Sequence, residues 1–273
     1  MEWILLFVVG FLAGTVGSLV GLGGGIIIVP ALLYLAGFHP SFQGITPSVA
    51  VGTSLLLIVL TSLSSTLSFL KQKRVDVKSG LTFFLACGPG AMVGASLTRL
   101  FQSDAFFVAF GCLMIFVSWL LRVKEKGTAR QVRLDVMRTF TDAAGTVHEY
   151  GYHRLTALGL SFLVGVISGL FGIGGGSLLV PLMILLFRFP PHVATATSML
   201  IIFLSSILAS VTHVVQGNIH WISALVLAPG AWVGGKIGAW ISSKLSSRAL
   251  LNLLRIAILV TAVRMILDGL NLI

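Results

Sequence analysis

The stretch "GLGGGIIIVPALL", Gly21 to Leu33, sits inside an otherwise unbroken apolar run. Three consecutive glycines, Gly23, Gly24 and Gly25, disfavour a continuous membrane helix, because glycine loses more backbone freedom on ordering than any other residue. The device recurs as "GIGGGSLLVPLM", Gly172 to Met183. The apolar segments that follow, Ile26–Ala36 and Ser177–Phe187, are each about 11 residues, or about 16 Å of helix, half a bilayer. The spacing predicts two half-helices that begin near mid-membrane. Their first amides have no intrahelical partner, and lipid offers none, so this backbone has to face protein or a water-filled site. Two such N-termini aimed at one cavity make a positive dipolar site for an anion.

The surroundings of the device are those of a bilayer. Of 273 residues, 56% are hydrophobic and 10% charged, against about 25% charged in a soluble domain. Apolar runs of about 17 to 25 residues recur along the chain, the length that spans a bilayer core. The fold class expected is an all-α polytopic membrane protein with one transport domain, in the cell membrane. Helices are expected over Trp3–Val20, Ile26–Ala36, Thr46–Leu70, Ser79–Leu97, Ala105–Leu121, Leu155–Leu170, Ser177–Phe187, Val193–Val215, Trp221–Ile241 and Ala249–Leu267. Pro190 and Pro191 in "RFPPH" are expected to end a helix. The opening run starts at Glu2 without a basic segment, unlike a cleavable signal peptide.

The two halves repeat. Gly14, Gly21, Gly23, Gly24, Gly25 and Pro30 match Gly165, Gly172, Gly174, Gly175, Gly176 and Pro181 at one constant spacing. "GTS" at Gly52–Ser54 answers "ATS" at Ala196–Ser198, and "GPGAMVG" at Gly88–Gly94 answers "APGAWVG" at Ala228–Gly234. Repeat 1 covers about 3–121 and repeat 2 about 155–269, separated by a polar loop, 122–154. If each device is a break within one span, the repeats are parallel; if it is the tip of a helical hairpin, they are inverted. The positive-inside rule selects the second. With the Lys71–Lys78 and Arg122–Arg154 clusters inside, the hairpin arrangement leaves only Arg99 outside. The termini are then outside and the polar loop is cytoplasmic.

The ionisable residues restrict the chemistry. All eight acids lie in loops or near segment ends, whereas cation and proton pathways carry intramembrane carboxylates. A neutral or anionic solute suits the lining better. Thr53, Ser54, Thr197 and Ser198 stand early in the helices that follow each device, placed either to donate hydroxyl hydrogen bonds to a solute or to brace helices. Lys236 is the one basic residue that reaches deep, either to attract an anion or to snorkel to the interface. Gly14, Gly17 and Gly21 have the spacing of a small-residue packing face. Pro30, Pro181, Pro89 and Pro229 are expected to hinge or break their helices. Cys87 and Cys112 lie in separate runs, and no Cys/His spacing suggests a metal or disulfide. His148 and His153 read as solvated, and His213 as interfacial. No nucleophile–base spacing points to an enzyme, and the basic residues carry no interleaved aromatics for nucleic acid. No cofactor is expected. The partners are the bilayer and a small anionic substrate, with a homodimer as the assembly open to the chain.

The paired "GLGGGIIIVP" and "GIGGGSLLVP", with "PGAMVG" and "PGAWVG", resemble the TauE/SafE family of membrane transporters, the sulfite exporters. The resemblance covers both halves and omits mainly the central polar loop. It implies outward transport of sulfite, organosulfonates or related small anions across the bacterial cell membrane. The residues carrying it are Gly23–Gly25, Gly174–Gly176, Pro30, Pro181, Pro89 and Pro229. A secondary transporter working by alternating access is the reading adopted, with a passive anion channel and a membrane-embedded enzyme or assembly factor as the alternatives.

Overall fold

The computed structural model describes residues 2–38, 42, 44–100, 103–120, 135–141, 147–244, 259, 262, 263, 265–267 and 270. The helices are α1 (Glu2–Val20), α2 (Gly25–Phe38), α3 (Pro47–Lys71), α4 (Val77–Leu97), α5 (Ser103–Leu120), α6 (Arg154–Phe171), α7 (Gly176–Leu185), α8 (Pro191–Val215) and α9 (Trp221–Ser242). Six of them, α1, α3, α4, α6, α8 and α9, are long and apolar enough to cross a membrane. The protein is an all-α polytopic membrane protein. The expected helix Ala249–Leu267 falls mostly outside the described residues, but its residues 259, 262, 263 and 265–267 are helical. There Ala262 and Ile266 pack on Gly111 of α5.

Helix ends follow local chemistry. Thr46 caps α3, its hydroxyl accepting from the Val49 amide, and Asp76 caps α4 through the Ser79 amide at 3.1 Å. Caps of this kind satisfy amides that the helix leaves open. As expected from the sequence, no helix continues through Pro190 and Pro191: α7 ends before them, and they start α8, with Pro191 in its first turn. Proline is tolerated there because the amide it lacks would be unpaired anyway. Pro30, Pro89, Pro181 and Pro229 all lie inside helices that continue past them. They neither break nor end these helices, so the expected break is not seen.

Small residues let the long helices touch. A methyl group added at Gly14 would stand 2.6 Å from the Ala231 carbonyl oxygen of α9, and one at Gly94 would meet the Val166 carbonyl of α6. The order of such contacts gives direction. Phe7, Phe11 and Thr15 of α1 meet Gly230, Gly234 and Gly238 of α9 in rising order, so these helices run parallel. Gly90 and Gly94 of α4 meet Phe162 and Val166 of α6 in the same way, and Gly80 and Gly88 of α4 meet Leu200 and Leu208 of α8. Thr53 and Ser64 of α3 bond to His220 and Trp232 at the start and middle of α9. By contrast Gly52 of α3 lies against His213, near the far end of α8. Helices α1, α3 and α9 thus run one way, and α4, α6 and α8 the other.

The polar segment is not only a loop. Strands β1 (Val136–Thr141) and β2 (Val147–Tyr152) form an antiparallel hairpin, with Arg138 opposite Tyr150. Tyr150 and Tyr152 are buried against the helices. The Tyr150 hydroxyl donates to the Asp76 carboxylate at 2.8 Å, and the rings of Tyr150 and Phe189 lie 4.0 Å apart. Tyr152 packs on Phe83 and Phe187. The hairpin therefore ties α4 to the connection between α7 and α8. His153 pairs with Asp135 at 3.1 Å, half in solvent; the side chain of His148 is outside the described residues.

Candidate functional site

The two glycine devices meet. Each long helix α1 and α6 ends in a turn of left-handed backbone, at Gly21 (φ 80°) and Gly172 (φ 68°). The chain then reverses into α2 and α7. Gly21 is therefore a turn residue and not part of a packing face; nor do the other two share one, since Gly14 lies against Ala231 of α9 and Gly17 against Gly23 and Gly24 of the turn itself. Gly23 (φ 78°) and Gly174 (φ 74°) occupy equivalent places. A methyl group at either would meet Ile58 of α3 and Ile202 of α8, at 3.1 and 3.3 Å. One at Gly25 would meet the Gly172 carbonyl oxygen. The first turns of α2 and α7 are thus brought to one place, flanked by Ile58 and Ile202.

Gly24 and Gly175 are not alike, although the sequence pairs them. Gly24 is left-handed at φ 96° and faces the Ala13 carbonyl. Gly175 has φ −54°, an ordinary helical value, so no positive φ demands glycine there. Its restriction is steric: an added methyl group would lie 2.6 Å from the Cys87 sulfur and 3.3 Å from the Ser205 hydroxyl. Gly176 and Ser177 open α7, and their surroundings are outside the described residues.

The four hydroxyls chosen from the sequence are buried and already engaged. Ser54 donates to the Gly172 carbonyl at 2.9 Å, and Ser198 donates to the Gly21 carbonyl at 3.1 Å. Thr53 accepts from the His220 amide at 2.9 Å, and Thr197 from the Asp76 amide at 3.0 Å. Each repeat's serine holds the other repeat's glycine turn, and each threonine holds the other repeat's helix cap. Bracing is what these bonds do. Lys236 is exposed on α9, while its neighbours Gly235 and Gly238 face inward against α3 and α1. The structure does not bring it to the devices.

Two stripes lead away from the devices. On α3, Ser54, Ile58, Ser62, Thr66 and Phe69 recur every three or four residues and are all buried. On α8 the equivalent stripe is Ser198, Ile202, Ser206, Ser210 and His213, also buried. That spacing puts each set on one face of its helix. The Thr66 and Ser210 hydroxyls have no hydrogen-bond partner, nor has either nitrogen of the His213 ring. The correspondence between the halves does not end at "GTS" and "ATS". Followed onward, Gly52–Phe69 and Ala196–His213 match position by position and reveal both stripes. No group of metal-ligating side chains occurs among the described residues.

The family model described as "Sulfite exporter TauE/SafE" matches residues 6–265. A probable membrane transporter protein of Bacillus subtilis (strain 168), YunE, is 50% identical, over 98% of this chain and 99% of its own length. A probable membrane transporter protein of Xylella fastidiosa (strain Temecula1) is 28% identical over 89% of this chain and 86% of its own. Another from Methanocaldococcus jannaschii, MJ0441, is 26% identical over 90% and 88%. No solved structure matches the chain. A match that runs through both glycine devices and both PGA segments is the sequence counterpart of the paired turns just described: the chain belongs to the TauE/SafE family of membrane transporters, as a multi-pass protein of the cell membrane rather than an enzyme.

Proposed function

We propose that the protein exports a small anion, sulfite or an organosulfonate, by alternating access between two inverted repeats, with the anion held at the N-termini of α2 and α7. The observation that carries this reading is the meeting of the two glycine turns. The N-terminus of a helix offers unpaired amides and a partial positive charge. Two of them at one place suit an anion, and none of the described membrane spans carries a carboxylate in its interior to repel it. The family description supports sulfite as the first solute to try.

Inversion is supported by helix direction. Helix α1 runs with α3 and α9, and its repeat partner α6 runs against them. The sidedness follows from what shares an end. The hairpin, the α3–α4 turn with Arg74 and Asp76, and the α7–α8 connection with Phe187 and Phe189 lie together. Phe42 and His220 lie together at the other end. Basic residues gather at the first end, which the positive-inside rule makes cytoplasmic. A cysteine at Gln216 is then expected to react with a membrane-impermeant thiol reagent from outside only, in a Cys87/Cys112-free background. Labelling only from the cytoplasm reverses the topology.

Reconstituted vesicles test the solute. Uptake of labelled sulfite and methanesulfonate should saturate and show countertransport, and dimethyl sulfone, a neutral isostere of methanesulfonate, should not compete. A flux that rises linearly without countertransport identifies a channel. Equal competition by the neutral sulfone removes the anion site.

A further inference from the structure

We propose that His213, with Ser210, forms a second anion site in the outer half of the transport path. It deepens the anion-transport reading above and rests on it. Four observations converge on these two residues.

His213 is completely buried, and both its ring nitrogens lack a hydrogen-bond partner. A neutral imidazole carries one N–H donor and one lone pair, and leaving such groups buried and unpaired is costly. Ser210 lies one turn away on the same face of α8, buried, its hydroxyl also unpaired. Residues three apart on a helix are neighbours, so one small oxyanion can accept from both. The face they share continues through Ser206 to Ile202, which flanks the glycine turns. Finally, repeat 1 supplies its own control. The equivalent of His213 is Phe69, buried to the same degree. An apolar ring is therefore sufficient to fill this place in the fold, and packing gives no reason for the imidazole.

The asymmetry has direction. Phe69 lies toward the hairpin end of α3, and His213 toward the opposite end of α8, where Gly52 and Asn218 pack against it. An anion leaving the paired turns for the outside meets hydroxyls and then an imidazole. One arriving from the cytoplasm meets a phenyl ring. The site strengthens when the ring is protonated, because both nitrogens then donate and the charge is opposite to the ligand's. Few other ionisable groups face it. Helix α3 has none between Pro47 and Leu70, and α7 has none. On α8 itself His192 is at the far end. On α4, Asp76 and Lys78 are at that same far end, and Cys87 lies mid-helix. In the 216–220 linker His220 is turned onto Ser223 and Phe42.

Methanesulfonate is the decisive probe, since its charge does not change across the working pH range and any pH effect belongs to the protein. The detergent-solubilised full chain is labelled with 15N-histidine, and His213 is assigned by its loss in His213→Phe. The wild-type His213 ring signals should shift saturably with methanesulfonate, and affinity should rise as pH falls. Equilibrium dialysis should give two anions per wild-type chain and one for His213→Phe, with Ser210→Ala weakening the same one. His213→Phe copies the repeat-1 residue and keeps the fold; His213→Gln serves as a second variant with a single amide donor. A ring silent to methanesulfonate, or variants that bind it with wild-type stoichiometry and pH dependence, overturns the outer site. Loss of one anion in Gly23→Ala/Gly174→Ala with the His213 response intact separates the central site from this one. A wild-type His213 response with no anion bound at the turns refutes the central reading and leaves the outer site standing.

Discussion

Transport should be lost in Gly23→Ala/Gly174→Ala while the protein remains folded and inserted. Both residues have left-handed backbone, which costs an L-residue about 1–2 kcal/mol. The added methyl groups meet only side-chain atoms, those of Ile58 and Ile202, at 3.1 and 3.3 Å. Side chains yield by a few tenths of an ångström, so the fold survives. The methyl groups nevertheless enter the space between the two turns, where a solute has to approach the backbone. The contrast is Gly94→Ala. Its methyl group would run into the Val166 carbonyl and stand 2.7 Å from the Leu170 amide nitrogen, backbone that cannot move without separating α4 from α6. That variant should lose monodispersity before it loses affinity. Size-exclusion profiles and vesicle flux, measured on the same preparations, distinguish the two. A double variant at Gly23 and Gly174 with wild-type flux would falsify the central site. Gly24 and Gly175 are poorer probes, because one abuts the Ala13 carbonyl and the other the Cys87 sulfur.

The largest stability effect outside the helices is expected at Asp76. Its carboxylate caps α4, accepts from the Ser79 hydroxyl at 2.5 Å and from Tyr150 at 2.8 Å, and is 8% exposed. Asp76→Ala removes a cap worth about 1 kcal/mol, leaves the buried Tyr150 hydroxyl unpaired at a cost of about 1–3 kcal/mol, and leaves the Ser79 hydroxyl only the bond it accepts from Tyr152. A fall of several degrees or more in Tm should follow, with Tyr150→Phe costing less because it orphans only the carboxylate oxygen that has a second partner. Alkali should act on the same contact. Burial, and then the adjacent Asp76 charge, push the Tyr150 phenol far above its usual 10.0. A group raised in the folded state stabilises fully below its unfolded value and ceases to do so as pH rises through the folded one. The wild-type Tm should therefore decline above about pH 10, and Tyr150→Phe should flatten that decline. An identical alkaline profile in the two proteins would show that the hairpin does not dock through this phenol.

The helices were legible because run length and apolar content are local properties. Nine of the expected segments agree with α1 to α9 within a residue or two at most ends. The glycine turns were legible as breaks but not as individuals. A run of three identical residues cannot say which of them is left-handed, and Gly175 is not. The hydroxyls of Thr53, Ser54, Thr197 and Ser198 were visible, but their partners are more than a hundred residues away, and nothing in the neighbouring sequence names Gly172 or Gly21. Lys236 was chosen because it stands in an apolar run; the face it occupies is decided by Gly235 and Gly238, which need the close approach. The hairpin was missed because its strands are short and bear Arg138, His148 and Glu149. Its anchoring signal, Tyr150 and Tyr152 two apart on one face, is too brief to stand out. His213 was read from its nearness to a helix end, and its burial depends on α3.

The exchange of partners between repeats bears on biogenesis. Helix α1 lies along α9 and α6 along α4, and each glycine turn is tied by a serine from the other half of the chain. During synthesis α1 therefore waits in lipid for α9, with Gly10 and Gly14 uncovered, while α4 meets α6 much sooner. A ribosome that stalls after repeat 1 leaves a fragment with no mate for either α1 or α4, a natural substrate for membrane quality control. Two half-chains made separately should restore one another when coexpressed, and neither should accumulate alone.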